Sequence, residues 1–211
     1  KADSRLPFMA SQIAVLDTGG QYCHLIARKI RELGVSSEVF ASETPLEQLR
    51  HVRAIVISGG PSSVYDEGCP TMELAVLNAG IPVLGICYGQ QLITQLLGGR
   101  VQPGDKGEYG LALLDIGAAD SPLLAGVSDH QQVWMSHKDK VATPPPGFSV
   151  LASTSTCETA AIENRAAKIY GVQFHPEVVH STEGMRILSN FLFDIAGCEK
   201  DWSPGERVEL V

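Results

Sequence analysis

The stretch Ile81-Pro-Val-Leu-Gly-Ile86-Cys87-Tyr-Gly89-Gln-Gln91-Leu-Ile-Thr-Gln-Leu-Leu97 changes character at Cys87. Before it stands a short apolar run of the kind a buried strand carries. After it the pattern reads as a helix over Tyr88–Leu97, stopped by Gly98-Gly99. A side chain perched on so tight a turn brings neighbouring backbone together, and Gly85 and Gly89, which lack a Cβ, tolerate that approach. The unit is a strand, a nucleophile-elbow turn and a helix.

The same unit recurs toward the N-terminus. Ile13-Ala-Val-Leu-Asp17 runs into Thr18-Gly19-Gly20, and Tyr22, Leu25, Ile26, Ile30 and Leu33 then recur at helical spacing until Gly34 caps the pattern. Ser37–Phe40, Ala54–Ser58 and a helix around Met72–Ala79 continue the alternation. Such repetition predicts an α/β fold: a mostly parallel mixed sheet flanked by helices. Beyond Gly99, short β-like segments near Gly110–Ile116, Gln132–Met135, Phe148–Ser153, Thr159–Glu163 and Ile169–Phe174 are separated by Gly, Pro and Asp turns, which predicts an antiparallel extension. A last helix is expected from Ser181 or Thr182 to Gly197, with Ile187, Leu188, Phe191, Leu192 and Ile195 on one face. Residues 1–11 read as an N-terminal extension, native or added, 12–197 as one domain, and the charged stretch 198–211 as a linker toward a domain not present here.

Composition narrows the function. The 211 residues suit a single α/β domain, and no apolar run approaches the ~20 residues that span a bilayer. A net charge of -8 opposes attraction to phosphate backbones, which argues against nucleic acid and favours a small-molecule substrate. Five cysteines without metal-ligand spacing, in a sequence that does not open on a secretory leader, suggest a reducing cytoplasm and no metal.

Three segments carry chemistry. Cys87 on the elbow is a candidate nucleophile, because the turn exposes it above the sheet and the N-terminus of the following helix favours its thiolate. Gly171-Val-Gln-Phe-His175-Pro-Glu177 offers a base and an orienter. In an extended chain residues i and i+2 share a face, and Pro176 biases His175 toward that conformation, so Glu177 is placed to fix the imidazole. Thiol, imidazole and carboxylate together complete a catalytic unit. Ile57-Ser58-Gly59-Gly60-Pro61 ends another buried strand, and the Gly60 N–H, with the N–H of Tyr88, is a candidate oxyanion hole. A pyrophosphate-gripping loop of the Ser-Gly-Gly-x-Asp-Ser type is rejected there, because Pro61 removes an N–H and Ser62 stands where Asp would be.

Together, Gly85–Gln91, Ser58–Pro61 and Phe174-His175-Pro176-Glu177 resemble the class I, triad-type glutamine amidotransferase family, over about Ile13 to Gly197. The resemblance implies a flavodoxin-like fold and hydrolysis of L-glutamine to glutamate and ammonia, with Gln91, Ser136 and His137 on the substrate and no cofactor for this half-reaction. Glu108-Tyr-Gly110, Trp134-Met-Ser-His137 and His175–Ser181 are most similar to the branch that feeds an ATP pyrophosphatase (synthetase) domain. That domain uses ATP and Mg to aminate XMP to GMP, as part of the same chain or as a separate subunit. Glutaminases serving anthranilate, carbamoyl phosphate or CTP synthesis, a γ-glutamyl hydrolase, and a catalytically silent binding domain are the alternatives.

Overall fold

The computed structural model describes residues 10–205. Strands β1 (Ile13–Asp17), β2 (Ser37–Ala41), β3 (Ala54–Ile57) and β4 (Val83–Ile86) alternate with helices α1 (Cys23–Glu32), α2 (Leu46–Leu49), α3 (Leu74–Leu77) and α4 (Tyr88–Leu96). The second half supplies β5 (Arg100–Ile116), β6 (Gln131–Thr143), β7 (Ser149–Ser153), β8 (Ala161–Asn164), β9 (Ile169–Val172) and α5 (Gly184–Ser189). All nine strands join one sheet in the order β2-β1-β3-β4-β9-β8-β7-β5-β6.

The central strands β1, β3 and β4 carry no polar side chain over Ile13–Leu16, Ala54–Ile57 and Val83–Ile86, because both of their faces are covered. Ile13 and Val15 pack into one core layer with Ile26 and Ile30 of α1 and Ile187 and Leu188 of α5. Their neighbours Ala14 and Leu16 point the other way, into a layer with Leu49, Val76, Leu92 and Ile93. This is the strand alternation with two helical coats that the sequence predicts.

β9 departs from expectation. Instead of belonging only to the antiparallel half, it runs parallel to β4 and antiparallel to β8, so it joins the two halves of the sheet. Ile86 is opposite Val172, and the Cys87 N–H donates to the Val172 carbonyl at 2.8 Å. The ends of β4 and β9 therefore lie side by side, and those ends lead into Cys87 and His175.

β6 runs on to Thr143 instead of ending near Met135, and three further element boundaries are corrected. β5 begins at Arg100 rather than near Gly110, and pairs along β6 with a register shift between Pro103 and Glu108. Pro103, Gly104, Gly107 and Gly110 had erased its alternation. The helix expected over Met72–Ala79 shrinks to the four residues of α3. The last helix starts at Gly184 and widens into a π-type turn over Asn190–Ile195, where buried Asn190 donates to the carbonyls of Leu123 and Ala125.

In the stretch expected as a linker, Asp201 accepts from the Ser36 backbone N–H at 2.7 Å and from its hydroxyl at 2.6 Å. The Asp201 and Trp202 N–H groups donate to the Gly34 carbonyl. Residues 1–9 of the expected extension, and 206–211, lie outside the described residues. No helix among the described residues is long and apolar enough to cross a membrane.

Candidate active site

Cys87 has φ 53° and ψ -107°, a backbone conformation a side chain rarely adopts, typically at a cost of about 1–3 kcal/mol. The surrounding structure over-determines it. A Cβ on Gly85 would stand 2.6 Å from the Gly89 carbonyl, and one on Gly89 would stand 2.5 Å from the Ile57 carbonyl, so the elbow closes only with glycine at both places. The Cys87 carbonyl accepts from the Gln90 and Gln91 N–H groups, and the sulfur lies 3.5 Å from the Ser136 carbonyl.

His175 lies just past the end of β9, clamped by its backbone. Its N–H donates to the Trp134 carbonyl at 3.0 Å, and its own carbonyl accepts from the Ser181 hydroxyl at 2.6 Å. Nδ1 is 2.7 Å from Glu177 Oε1, and both side chains are buried. The pairing expected from a shared strand face is thus made by a turn: β9 stops at Val172, and Pro176 bends the chain so that the carboxylate folds back onto the ring.

With Nδ1 committed to Glu177, Nε2 is left for the sulfur. A Cβ on Gly59 would meet His175 Cε1 at 2.9 Å and Cys87 Cβ at 3.3 Å, so thiol and imidazole converge on that glycine. Tyr22 packs edge-on to the ring at 5.3 Å between centroids. Burial disfavours the imidazolium, but hydrogen bonds to Cys87 and Glu177, together with the charges of both, outweigh it and raise the His175 pKa from 6.5 to about 10.

This shift fixes a pH dependence of stability. A group whose folded pKa is raised contributes stability that is fully present below its unfolded pKa and is lost as pH rises through its folded pKa. The stability advantage of the native chain over His175→Gln is therefore expected to shrink from about pH 6.5 to about pH 10. Urea melts of both proteins at constant salt measure it; a difference that stays flat or grows over that window contradicts the assignment. The Glu177 contact has its own test. Glu177→Gln keeps an acceptor's shape but withdraws the negative charge, and turnover of the glutamine that the resemblance implies as substrate is expected to drop by about 10²–10⁴-fold without vanishing. Full activity in steady-state assays would remove Glu177 from its orienting place.

The two glycine turns form one wall of the site. A Cβ on Gly20 would lie 2.0 Å from the Gly59 carbonyl, and one on Gly60 would lie 2.5 Å from the Thr18 carbonyl. The Thr18 hydroxyl donates within this contact, to the Ser58 and Gly59 carbonyls at 3.0 and 2.9 Å. Among the described residues the Gly60 N–H has no acceptor, which leaves it available to a ligand. Tyr88 N–H is likewise free as the first residue of α4.

Gly20, Tyr22, Gly59, Gly60, Cys87 and His175 line a cleft of about 750 Å³, which also receives Gln91, Ser136, His137 and Asp139. Both amide protons of Gln91 are used, on the Asp139 carbonyl at 2.8 Å and Gln173 Oε1 at 3.2 Å, so its oxygen is what it can offer a ligand. His137 is braced at both ring nitrogens, by the Asp139 carbonyl at 2.9 Å and Glu108 Oε2 at 3.0 Å, and Glu108 is held in turn by the Thr156 hydroxyl. Sequence reasoning singled out neither this brace nor Gly59 and Tyr22 as parts of the site. Contacts between segments so far apart in the chain leave no local pattern. All five cysteines are free, and Cys87 is the one on the cleft.

A strained thiol on a strand-to-helix elbow, facing a carboxylate-oriented imidazole at the mouth of a parallel sheet, is an arrangement suited to cysteine-hydrolase chemistry of the amidotransferase type. The chain belongs to the class-I glutamine amidotransferase family, whose model matches residues 14–195. It is 51% identical over 197 residues to the GMP synthase [glutamine-hydrolyzing] of Carboxydothermus hydrogenoformans, which covers 92% of this chain and 38% of that protein. It is 49% identical over 201 residues to its namesake from Nostoc sp., covering 93% of this chain and 37% of that protein. The chain thus spans less than two fifths of the length of these curated relatives. Among solved structures, a protein from Thermoplasma acidophilum, described as belonging to a GMP synthase, superposes with a TM-score of 0.76 at 31% identity, covering 87% of this chain and 92% of that one. A Thermotoga maritima glutamine amidotransferase, at 19% identity and TM-score 0.71, shares the fold.

Proposed function

We propose that this glutamine amidotransferase domain hydrolyses L-glutamine through a thioester on Cys87, and that its ammonia aminates XMP to GMP in a synthetase domain using ATP and Mg. The synthetase is either a continuation of the same polypeptide or a separate subunit. The observation that carries the reading is Cys87, held at φ 53° against the His175–Glu177 pair. The names of the relatives and the length by which they exceed this chain support the choice of acceptor. Five free cysteines fit a cytoplasmic setting.

In this mechanism the thiolate forms a bond to the side-chain amide carbon of glutamine, and the oxygen takes up negative charge facing the Gly60 and Tyr88 N–H groups. The imidazolium gives its Nε2 proton to the departing nitrogen as the carbon–nitrogen bond breaks, which releases ammonia. Water then attacks the γ-glutamyl thioester, His175 takes its proton, and glutamate leaves with the thiolate restored. Glu177 holds Nδ1 and stabilises the imidazolium. The Gln91 oxygen and the Ser136–His137 segment, stiffened by the His137–Glu108 brace, hold the amino-acid end of glutamine.

Ammonia made without an acceptor wastes glutamine. Glutaminase turnover is therefore expected to be slow in this chain alone and to accelerate, by roughly 5–150-fold, once its synthetase half has bound ATP and XMP. Steady-state glutamate release, with and without synthetase and nucleotides, measures the coupling. Equal, fast rates in every condition would mark an autonomous hydrolase.

A further inference from the structure

The outer face of the β5–β6 hairpin is apolar and uncovered. Tyr109, Leu111 and Leu113 point out from alternate positions of β5 and are 70%, 59% and 59% exposed. Their partners on β6 are Ser136, Trp134 and Gln132. Trp134 stacks on His180 at 4.9 Å between centroids, next to Val179, which is 86% exposed. Leu111 and Trp134 are cross-strand neighbours, and none of these apolar side chains is a carboxylate, lysine or arginine. That composition belongs to the core of a protein interface rather than to a solvated face.

Its position gives it meaning. One end is the mouth of the cleft, which Tyr109 and Ser136 line. The middle holds the base. The Trp134 carbonyl accepts from the His175 N–H, and the Trp134 N–H donates to the Ser181 hydroxyl, which donates to the His175 carbonyl. Both backbone groups of His175 are thus tied to the one Trp134, and a body pressing on the stripe bears directly on the His175 clamp.

We propose that this stripe, Tyr109–Leu111–Leu113 with Trp134 and Val179, is where the ATP-using synthetase half docks, and that docking acts on the imidazole through the Trp134 backbone. The inference rests on the proposed supply of ammonia to a synthetase. Two facts favour that occupant over a second copy of this chain. The curated relatives carry more than half of their length outside the region matched here, which leaves a large body to be seated. And ammonia escaping into water is captured as ammonium, which is not a nucleophile, so the acceptor must approach the cleft mouth that the stripe borders.

The test uses the complete enzyme, this chain with its synthetase half, carrying Leu111→Glu and Leu113→Glu together; neither side chain lines the cleft. Glutamine-dependent GMP formation is expected to fall about tenfold or more, the loss typical of a charge placed in an interface hot spot. GMP formation from added ammonium salt and the basal glutaminase rate of the isolated chain are expected to stay within about twofold, since exposed positions tolerate such changes. The milder pair Leu111→Ser and Leu113→Ser is expected to move the same ratio in the same direction, and it replaces the glutamate pair if that protein fails to fold. Unchanged glutamine-dependent synthesis overturns the docking assignment. So does a change confined to the isolated chain, from dimer to monomer in sedimentation, which would give the stripe to a second copy. An enzyme that makes no GMP even from ammonium salt overturns the underlying functional reading instead.

Discussion

Cys87→Ala is expected to reduce glutamate release to the uncatalysed background, a loss of about 10⁴-fold or more, comparable to removing the nucleophile of a serine protease. The fold is expected to survive. Alanine keeps the Cβ that the elbow already accommodates at φ 53°, and what is lost with the sulfur is a long contact, 3.5 Å, to the Ser136 carbonyl and the hydrogen bond to His175. His175 loses a hydrogen-bonded neighbour, so a stability change of about 1–2 kcal/mol is the scale to look for in a urea melt. Retained glutamate production by the folded variant would remove the thiol from the reaction. A glutamine-mimicking electrophile provides a second readout. Burial pushes the thiols of Cys23, Cys157 and Cys198 up to about 11, so near neutral pH they stay protonated and weakly reactive. Peptide mapping should find the label on Cys87, and a label on Cys23 or Cys157 would contradict the assignment.

His175→Ala is expected to cost nearly as much as Cys87→Ala, and the double variant little more than either. Residues of one catalytic unit are not additive: a thiol without its base has lost its activation, and an imidazole without its thiol has nothing to activate. The geometry makes this coupling strict, since Nδ1 is held on Glu177 at 2.7 Å and the other face of the ring meets Gly59 and Cys87. Comparing kcat/KM for the two single variants and the double variant measures it. Losses that multiply, each variant adding its own factor, would mean that the two side chains act in separate steps or sites.

The elbow was legible in the sequence because its constraint is local. Gly85 and Gly89 stand within two residues of Cys87, and the contacts that demand glycine lie inside the same strand–turn–helix unit or on the neighbouring Ile57. The parallel half of the sheet was legible for a similar reason, as strands buried on both faces are apolar at every position. Strand partnership was not. Nothing in Ile169–Val172 announces that β9 pairs with β4 as well as β8, since a fully buried strand looks the same in either direction. The first half of β5 was hidden by Pro103 and its glycines, whose cost in a strand is met by thirteen residues of β6 alongside. The His175–Glu177 contact was foreseen from alternation along a strand but is made by a turn. The His137–Glu108–Thr156 brace joins residues with no periodic relation.

The pairing of β4 with β9 has a kinetic side. The thiol and the imidazole ride on the ends of two strands that meet only after the whole intervening chain has been laid down, and loop closure over such a span precedes any reward from the contact. Until that ladder zips, with Ile86 opposite Val172, there is no site at all, and a slip of one residue would turn every side chain of β9 to the wrong face. Recovery of glutaminase activity after dilution from denaturant should thus lag behind the return of helical signal from α1 and α4 and coincide with burial of the last strand, so that turnover serves as a clock for the final step of folding.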